Sequence, residues 1–170
     1  IETIDWSTGQ ILSKLKALGL DENTLVIFTS DNGPWHNLPD RMLQRGVERW
    51  HAGSAGLLRG AKATSYEGGF RVPGIVRWPA KIDANRVTSE IATTMDLFTT
   101  IVKSCGATLP ADRKIDGNNL LPLLQGADES PTETLFYCRG ENLEAVRQNE
   151  WKYRVTKNDG VQLFNLMRDP

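Results

Sequence analysis

Cysteine is scarce in this sequence, and no apolar run outlasts a short strand. Cys105 and Cys138 are its two cysteines among 170 residues, too few for a disulfide framework and without the spacing of a zinc site. They leave the redox compartment open. No stretch approaches the roughly 20 apolar residues of a membrane helix, so a membrane span is excluded. Neither sign of charge dominates: 20 basic against 21 acidic residues give a formal net charge of -1, and the basic residues are scattered. Nucleic acid is therefore not an expected partner. There is no Asn-x-Ser/Thr sequon, which favours a bacterial source, and no signal peptide. The first residue is Ile1, not Met, inside an expected helix, so the natural N-terminus is expected upstream.

What remains is the composition of an ordinary globular protein, 39% hydrophobic and 24% charged, long enough for a domain with a core. Residues Glu2 to Leu18 carry a helical stripe of Ile4, Ile11, Leu12, Leu15 and Leu18, with Gly19 as the C-terminal stop. A short polar turn leads to Leu25-Val26-Ile27-Phe28-Thr29. Its unalternated apolar character predicts a strand buried on both faces, as in the centre of an α/β sheet. Ser30-Asp31-Asn32-Gly33 follows at the strand's carboxyl end, where ligands of such sheets bind. Asp31 and Asn32 are adjacent hard-oxygen donors suited to a divalent cation, although Asp-Asn-Gly is also a competent turn sequence.

Between Pro34 and Leu58 periodicity breaks down. A loop this long inside a compact domain is functional or disordered, and its position predicts that it lines the site. His36 and His51 are candidate substrate contacts there, or ordinary surface histidines. The next stretch, Gly56 to Pro73, holds four glycines around Lys62, whose ammonium offers a point charge to an anion or is simply solvated. Glu67, between Arg59 and Arg71, is expected to pin this loop through charge-assisted hydrogen bonds to those arginines.

Gly74 to Trp78 reads as a short strand, and Thr94 to Ser104 as a helix with Leu97, Phe98, Ile101, Val102 and Cys105 on one face and Gly106 as its stop. After a loop from Pro110 to Gly126, strands are expected at Leu135–Arg139, Glu144–Gln148, Trp151–Thr156 and Val161–Leu166. Trp151, Tyr153 and Val155 alternate with Lys152, Arg154 and Thr156, so one face is expected to be buried and the other wet. The fold class is thus α/β, with a C-terminal four-stranded antiparallel subdomain. The boundary is placed between residues 1–110 and 111–170.

Several of these segments, taken in order, resemble the C-terminal part of the arylsulfatase family, the formylglycine-dependent sulfatases of the alkaline phosphatase superfamily. They are Asp5-Trp6-Ser7, Ser30-Asp31-Asn32-Gly33-Pro34, His51 to Gly56, Leu58-Arg59-Gly60-Ala61-Lys62, Glu67-Gly68-Gly69-Phe70-Arg71-Val72-Pro73, Met95-Asp96-Leu97-Phe98, Asp116-Gly117 and Leu163-Phe164-Asn165-Leu166. The resemblance covers nearly the whole chain. It implies a layered α/β/α sandwich, sulfate ester hydrolysis, Asp31 and Asn32 as calcium ligands and Lys62 as a catalytic contact to the sulfate. Related phosphatases of the superfamily carry His where Asn32 stands, so sulfate is favoured over phosphate. Periplasmic, secreted or lysosomal location is the family expectation.

The family's Cys-x-Pro-x-Arg element, whose Cys becomes formylglycine, does not occur here: Cys105 precedes Gly-Ala and Cys138 precedes Arg-Gly. Nor do the earlier Asp pair of the calcium site or the upstream Lys and His residues. The chain alone is therefore expected to be inactive and to self-associate through an open sheet edge. The alternatives are a phosphate or phosphonate ester hydrolase, and a non-catalytic chain binding a sulfated ligand.

Overall fold

A computed structural model describes residues 1–169. Its elements run in the order α1 (Glu2–Ala17), β1 (Val26–Thr29), α2 (Glu67–Phe70), β2 (Gly74–Arg77), α3 (Thr94–Ser104), α4 (Leu121–Leu124), β3 (Thr134–Arg139), β4 (Asn142–Gln148), β5 (Trp151–Thr156) and β6 (Gly160–Asn165). β1 and β2 form one small sheet, and β3-β4-β5-β6 form an antiparallel four-stranded sheet in sequence order. The α/β class and the C-terminal sheet are as expected. Gly19 at φ +67° and Gly106 at φ +70° stop α1 and α3 in the left-handed conformation that spares glycine a Cβ clash. Among the described residues no helix is long and apolar enough to cross a membrane.

The chain forms two compact units, each built from two stretches: residues 1–28 with 74–131, and residues 29–73 with 132–170. In the first unit β1 is not buried as predicted. Val26 and Ile27 are half-buried while Phe28 and Thr29 are exposed, because a sheet of two strands leaves both outer edges and much of its surface uncovered. The same correction applies to α3. Its inward residues are Asp96, Thr99 and Thr100, whereas Phe98 and Ile101 of the expected apolar face lie exposed. The polar face is buried because it is satisfied. Asp96 caps its own helix through the Thr93 amide at 2.7 Å and holds the Asn118 amide at 2.7 Å, and Thr100 accepts the Leu120 amide at 2.8 Å.

In the second unit the antiparallel register sorts the sheet into two faces. Phe136 pairs with Val146, Val146 with Tyr153 and Tyr153 with Leu163, which makes one apolar row across all four strands. That row faces outward: Phe136, Tyr153 and Leu163 are 60%, 46% and 63% exposed. Tyr137, Lys152 and Arg154 face inward, at 1%, 1% and 4%. The alternation of β5 is confirmed, but the buried side is the charged one. An apolar face of this extent drives association. The 170-residue chain by itself should therefore bind a hydrophobic dye and elute above monomer size in sizing chromatography. A monodisperse monomer without dye binding would contradict the exposure of this face.

Candidate active site

All the candidate site residues lie in the second unit, and backbone contacts join the turn that carries Asp31 and Asn32 to the loop that carries Lys62. The turn after β1 is tightened by the Ser30 hydroxyl, which donates to the Asn32 carbonyl at 3.0 Å. The Asn32 side-chain nitrogen donates to the Gly33 carbonyl at 2.9 Å, which turns the amide oxygen the other way. Two contacts then lock this turn to the glycine-rich loop. The Lys62 amide donates to the Pro34 carbonyl at 2.9 Å, and the Gly33 amide donates to the Gly69 carbonyl at 3.1 Å. A Cβ on Gly33 would sit 1.9 Å from the Gly68 carbonyl oxygen, so only glycine permits this approach.

Asp31 is exposed and Asn32 and Lys62 are half-buried, so each keeps some access to solvent. The Lys62 ammonium lies 5.0 Å from the centre of the Trp35 ring, an attraction that limits how far the long side chain wanders. Trp35 lies in the loop between Pro34 and Leu58, where no local pattern marks it as the lysine's neighbour. His36 is exposed. His51 sits in a short helical turn, where its Nδ1 accepts the Glu48 amide at 3.1 Å and its ring meets the edge of Trp50 at 4.0 Å. Among the described residues, no group of three or more His, Cys, Asp or Glu is arranged to hold a metal ion. Asp31 and Asn32 present a carboxylate and an amide oxygen, the donor types of a hard-cation site.

Glu67 does pin the loop, but not through Arg59 and Arg71. Its carboxylate is 4% exposed and accepts from the Lys152 ammonium at 2.7 Å, the Tyr137 hydroxyl at 2.8 Å and Arg147 at 3.5 Å. Burial alone would raise its pKa, yet Lys152, Tyr137 and Arg147 outweigh that and hold it below the usual carboxylate value. The Tyr137 hydroxyl is pushed up, first by burial and then by the adjacent Glu67 charge. Arg59 instead lies over the Tyr66 ring at 4.4 Å, which Arg154 also approaches at 3.9 Å. Arg71 is exposed and contributes its amide, which donates to the Glu67 carbonyl at 2.7 Å. A second polar link lies alongside: the Ser65 hydroxyl donates to Glu144 at 2.6 Å and accepts from Arg154 at 2.9 Å. Reading the sequence missed Lys152, Arg147, Tyr137, Glu144 and Arg154. The available signal was two cations two residues apart on one strand face.

A family model described as sulfatase matches residues 1–107, and one described as the C-terminal part of N-sulphoglucosamine sulphohydrolase matches residues 60–170. Human steryl-sulfatase is 45% identical over 86% of this chain and 24% of its own length. Human arylsulfatase H is 42% identical over 100% of this chain and 35% of its own. A solved sulfatase from Pseudoalteromonas sp. superimposes with a TM-score of 0.78 at 30% identity, covering 99% of this chain and 36% of that one. The chain thus spans about a quarter to a third of the curated relatives it matches. The two family matches overlap at residues 60–107, a stretch that includes the glycine-rich loop from Gly60 onward and with it Lys62. By sequence over its whole length and by fold, the chain belongs to the sulfatase family.

Proposed function

We propose that this chain is the C-terminal part of a calcium-dependent, formylglycine-using sulfatase that hydrolyses sulfate monoesters. Asp31 and Asn32 are read as two of the metal's oxygen ligands, and Lys62 as the cation that meets the sulfate. The observation that carries this reading is the pair of backbone bonds, Lys62 to Pro34 and Gly33 to Gly69, that holds the lysine against the acidic turn. When bound, calcium would neutralise charge on a sulfate oxygen. Lys62 would stabilise charge developing on the leaving oxygen, a task suited to a compact ammonium on a positioned stem. Asn32, an amide oxygen donor, fits a hard cation and favours sulfate chemistry over phosphate. His36 and His51 are kept as substrate contacts from the same loop. Periplasmic, secreted or lysosomal location accords with the family.

The relatives' printed names, steryl-sulfatase and N-acetylgalactosamine-6-sulfatase, span a sterol and an amino sugar, so the substrate class taken here is a sulfate monoester. With two ligands of an expected six or more, the isolated chain should not turn over an aryl sulfate. The test compares it with the full-length protein on a chromogenic aryl sulfate in calcium. Turnover by the full-length protein alone is expected; turnover by the isolated chain above buffer would overturn the division of the site.

A further inference from the structure

We propose that Glu67 is a positioning residue of this site: the charged inner face of the C-terminal sheet fixes Glu67, and Glu67 sets the register between the Asp31–Asn32 turn and Lys62. The inference rests on the reading of those three residues as the working groups. Its basis is an unbroken line of short contacts.

The carboxylate is triangulated from three strands. Tyr137 of β3 and Lys152 of β5 reach one oxygen at 2.8 and 2.7 Å, and Arg147 of β4 reaches the other at 3.5 Å. Tyr137 and Lys152 are each 1% exposed, so two of the three anchors are buried with the carboxylate they hold. Three anchors on a hydrogen-bonded sheet fix a carboxylate in all directions, which a single ion pair does not.

The residues that follow Glu67 carry this restraint to the site. The Gly68 amide donates to the Arg59 carbonyl at 2.7 Å, and the Gly69 carbonyl accepts the Gly33 amide at 3.1 Å. There is no slack on either side. A Cβ on Gly68 would lie 2.4 Å from the Gly60 carbonyl oxygen, and one on Gly69 would lie 2.5 Å from that of Ala61, the residue before Lys62. Gly68 and Gly69 therefore form a spacer one backbone thick that touches the turn at Gly33 and the loop before Lys62 at Gly60 and Ala61, beside the direct Lys62–Pro34 bond. A shift of Glu67 displaces the spacer and changes the separation of the two working halves. Sub-ångström errors of this kind are felt mainly in the chemical step, because alignment of reacting groups is lost while the substrate still binds.

The experiment uses the full-length protein and a sulfate monoester, with kcat, KM and the folded fraction measured for Glu67→Gln and Tyr137→Phe. Glu67→Gln keeps the volume of the side chain and removes its charge. Tyr137→Phe removes one of the three anchors and leaves the ion pair. The expected result is a fall in kcat per folded molecule of about fivefold or more for Glu67→Gln, with KM within about threefold, and a smaller fall in the same direction for Tyr137→Phe. A kcat within about twofold of wild type in the folded variant, or a change confined to KM, would overturn the proposal. Should Glu67→Gln fail to fold, Tyr137→Phe decides by the same criteria. Lys62→Ala is run in parallel. If it abolishes turnover while both other variants keep wild-type kcat, the site reading stands and the positioning role falls. If it leaves turnover intact, the site reading itself has failed, and the positioning role with it.

Discussion

Replacing Glu67 by alanine is expected to cost about 3–5 kcal/mol of stability, because it strands a buried ammonium and not merely a pair. Lys152 is 1% exposed, and its ammonium lies 2.7 Å from the carboxylate oxygen it would lose. It also sits 3.5 Å from the centre of the Tyr137 ring, a contact worth about 2 kcal/mol when desolvated, which offsets part of the penalty of a stranded buried charge and not all of it. The measurement is the shift of the guanidinium midpoint of the full-length protein. The effect has a pH signature whose sign follows from the direction of the carboxyl shift. Glu67 is held below its unfolded value of 4.5, so its contribution is fully present above that pH and is lost as pH falls through the folded value. The gap between wild type and Glu67→Ala should therefore be widest near neutrality and shrink in acid. A gap that grew in acid would contradict the assignment of an ionised Glu67.

Lys62→Ala is the second large effect, and it falls on turnover and not on stability. The side chain is half-buried and its ring contact with Trp35 is one weak attraction, so the folded state should lose less than about 1 kcal/mol. Removing a single preorganised charge partner of a transition state costs about 10²–10³ in kcat. The full-length variant should therefore keep its unfolding midpoint and lose about two to three orders of magnitude in kcat for a sulfate monoester. Lys62→Arg should not restore it, because a planar, bulkier guanidinium does not place its charge where a compact ammonium does. An unchanged kcat for Lys62→Ala would remove the lysine from the chemistry.

The limits of the sequence as a guide are clearest in β5. Its period of two was legible, and the strand runs over Trp151–Thr156 as expected. Which face is inside was not, because hydrophobicity favours Trp151, Tyr153 and Val155 while the structure buries Lys152 and Arg154. The deciding partners are Glu67 and Ser65, 85 and 89 residues away in the chain. Local periodicity carries no trace of them. Helix α3 repeats the lesson: its ends and its Gly106 stop were readable from capping chemistry, but the inward side is the one whose hydroxyls and carboxylate find the Asn118 and Leu120 amides. The candidate site residues stood out by their own chemistry more than the packing did. Asp31, Asn32 and Lys62 were marked by residue type and by their place after a strand and among glycines. The contact that joins them, Lys62 to Pro34, depends on a loop whose course follows no period. The arginines flanking Glu67 misled, because adjacency in sequence suggested a pairing that the geometry of a four-residue helical turn does not make.

The central claim is that Asp31, Asn32 and Lys62 serve a sulfate ester hydrolase. It is tested most directly by kcat/KM of the full-length protein for a matched pair of sulfate and phosphate monoesters sharing one leaving group, in calcium. The account predicts that the sulfate ester is strongly preferred; a preference for the phosphate ester would contradict it.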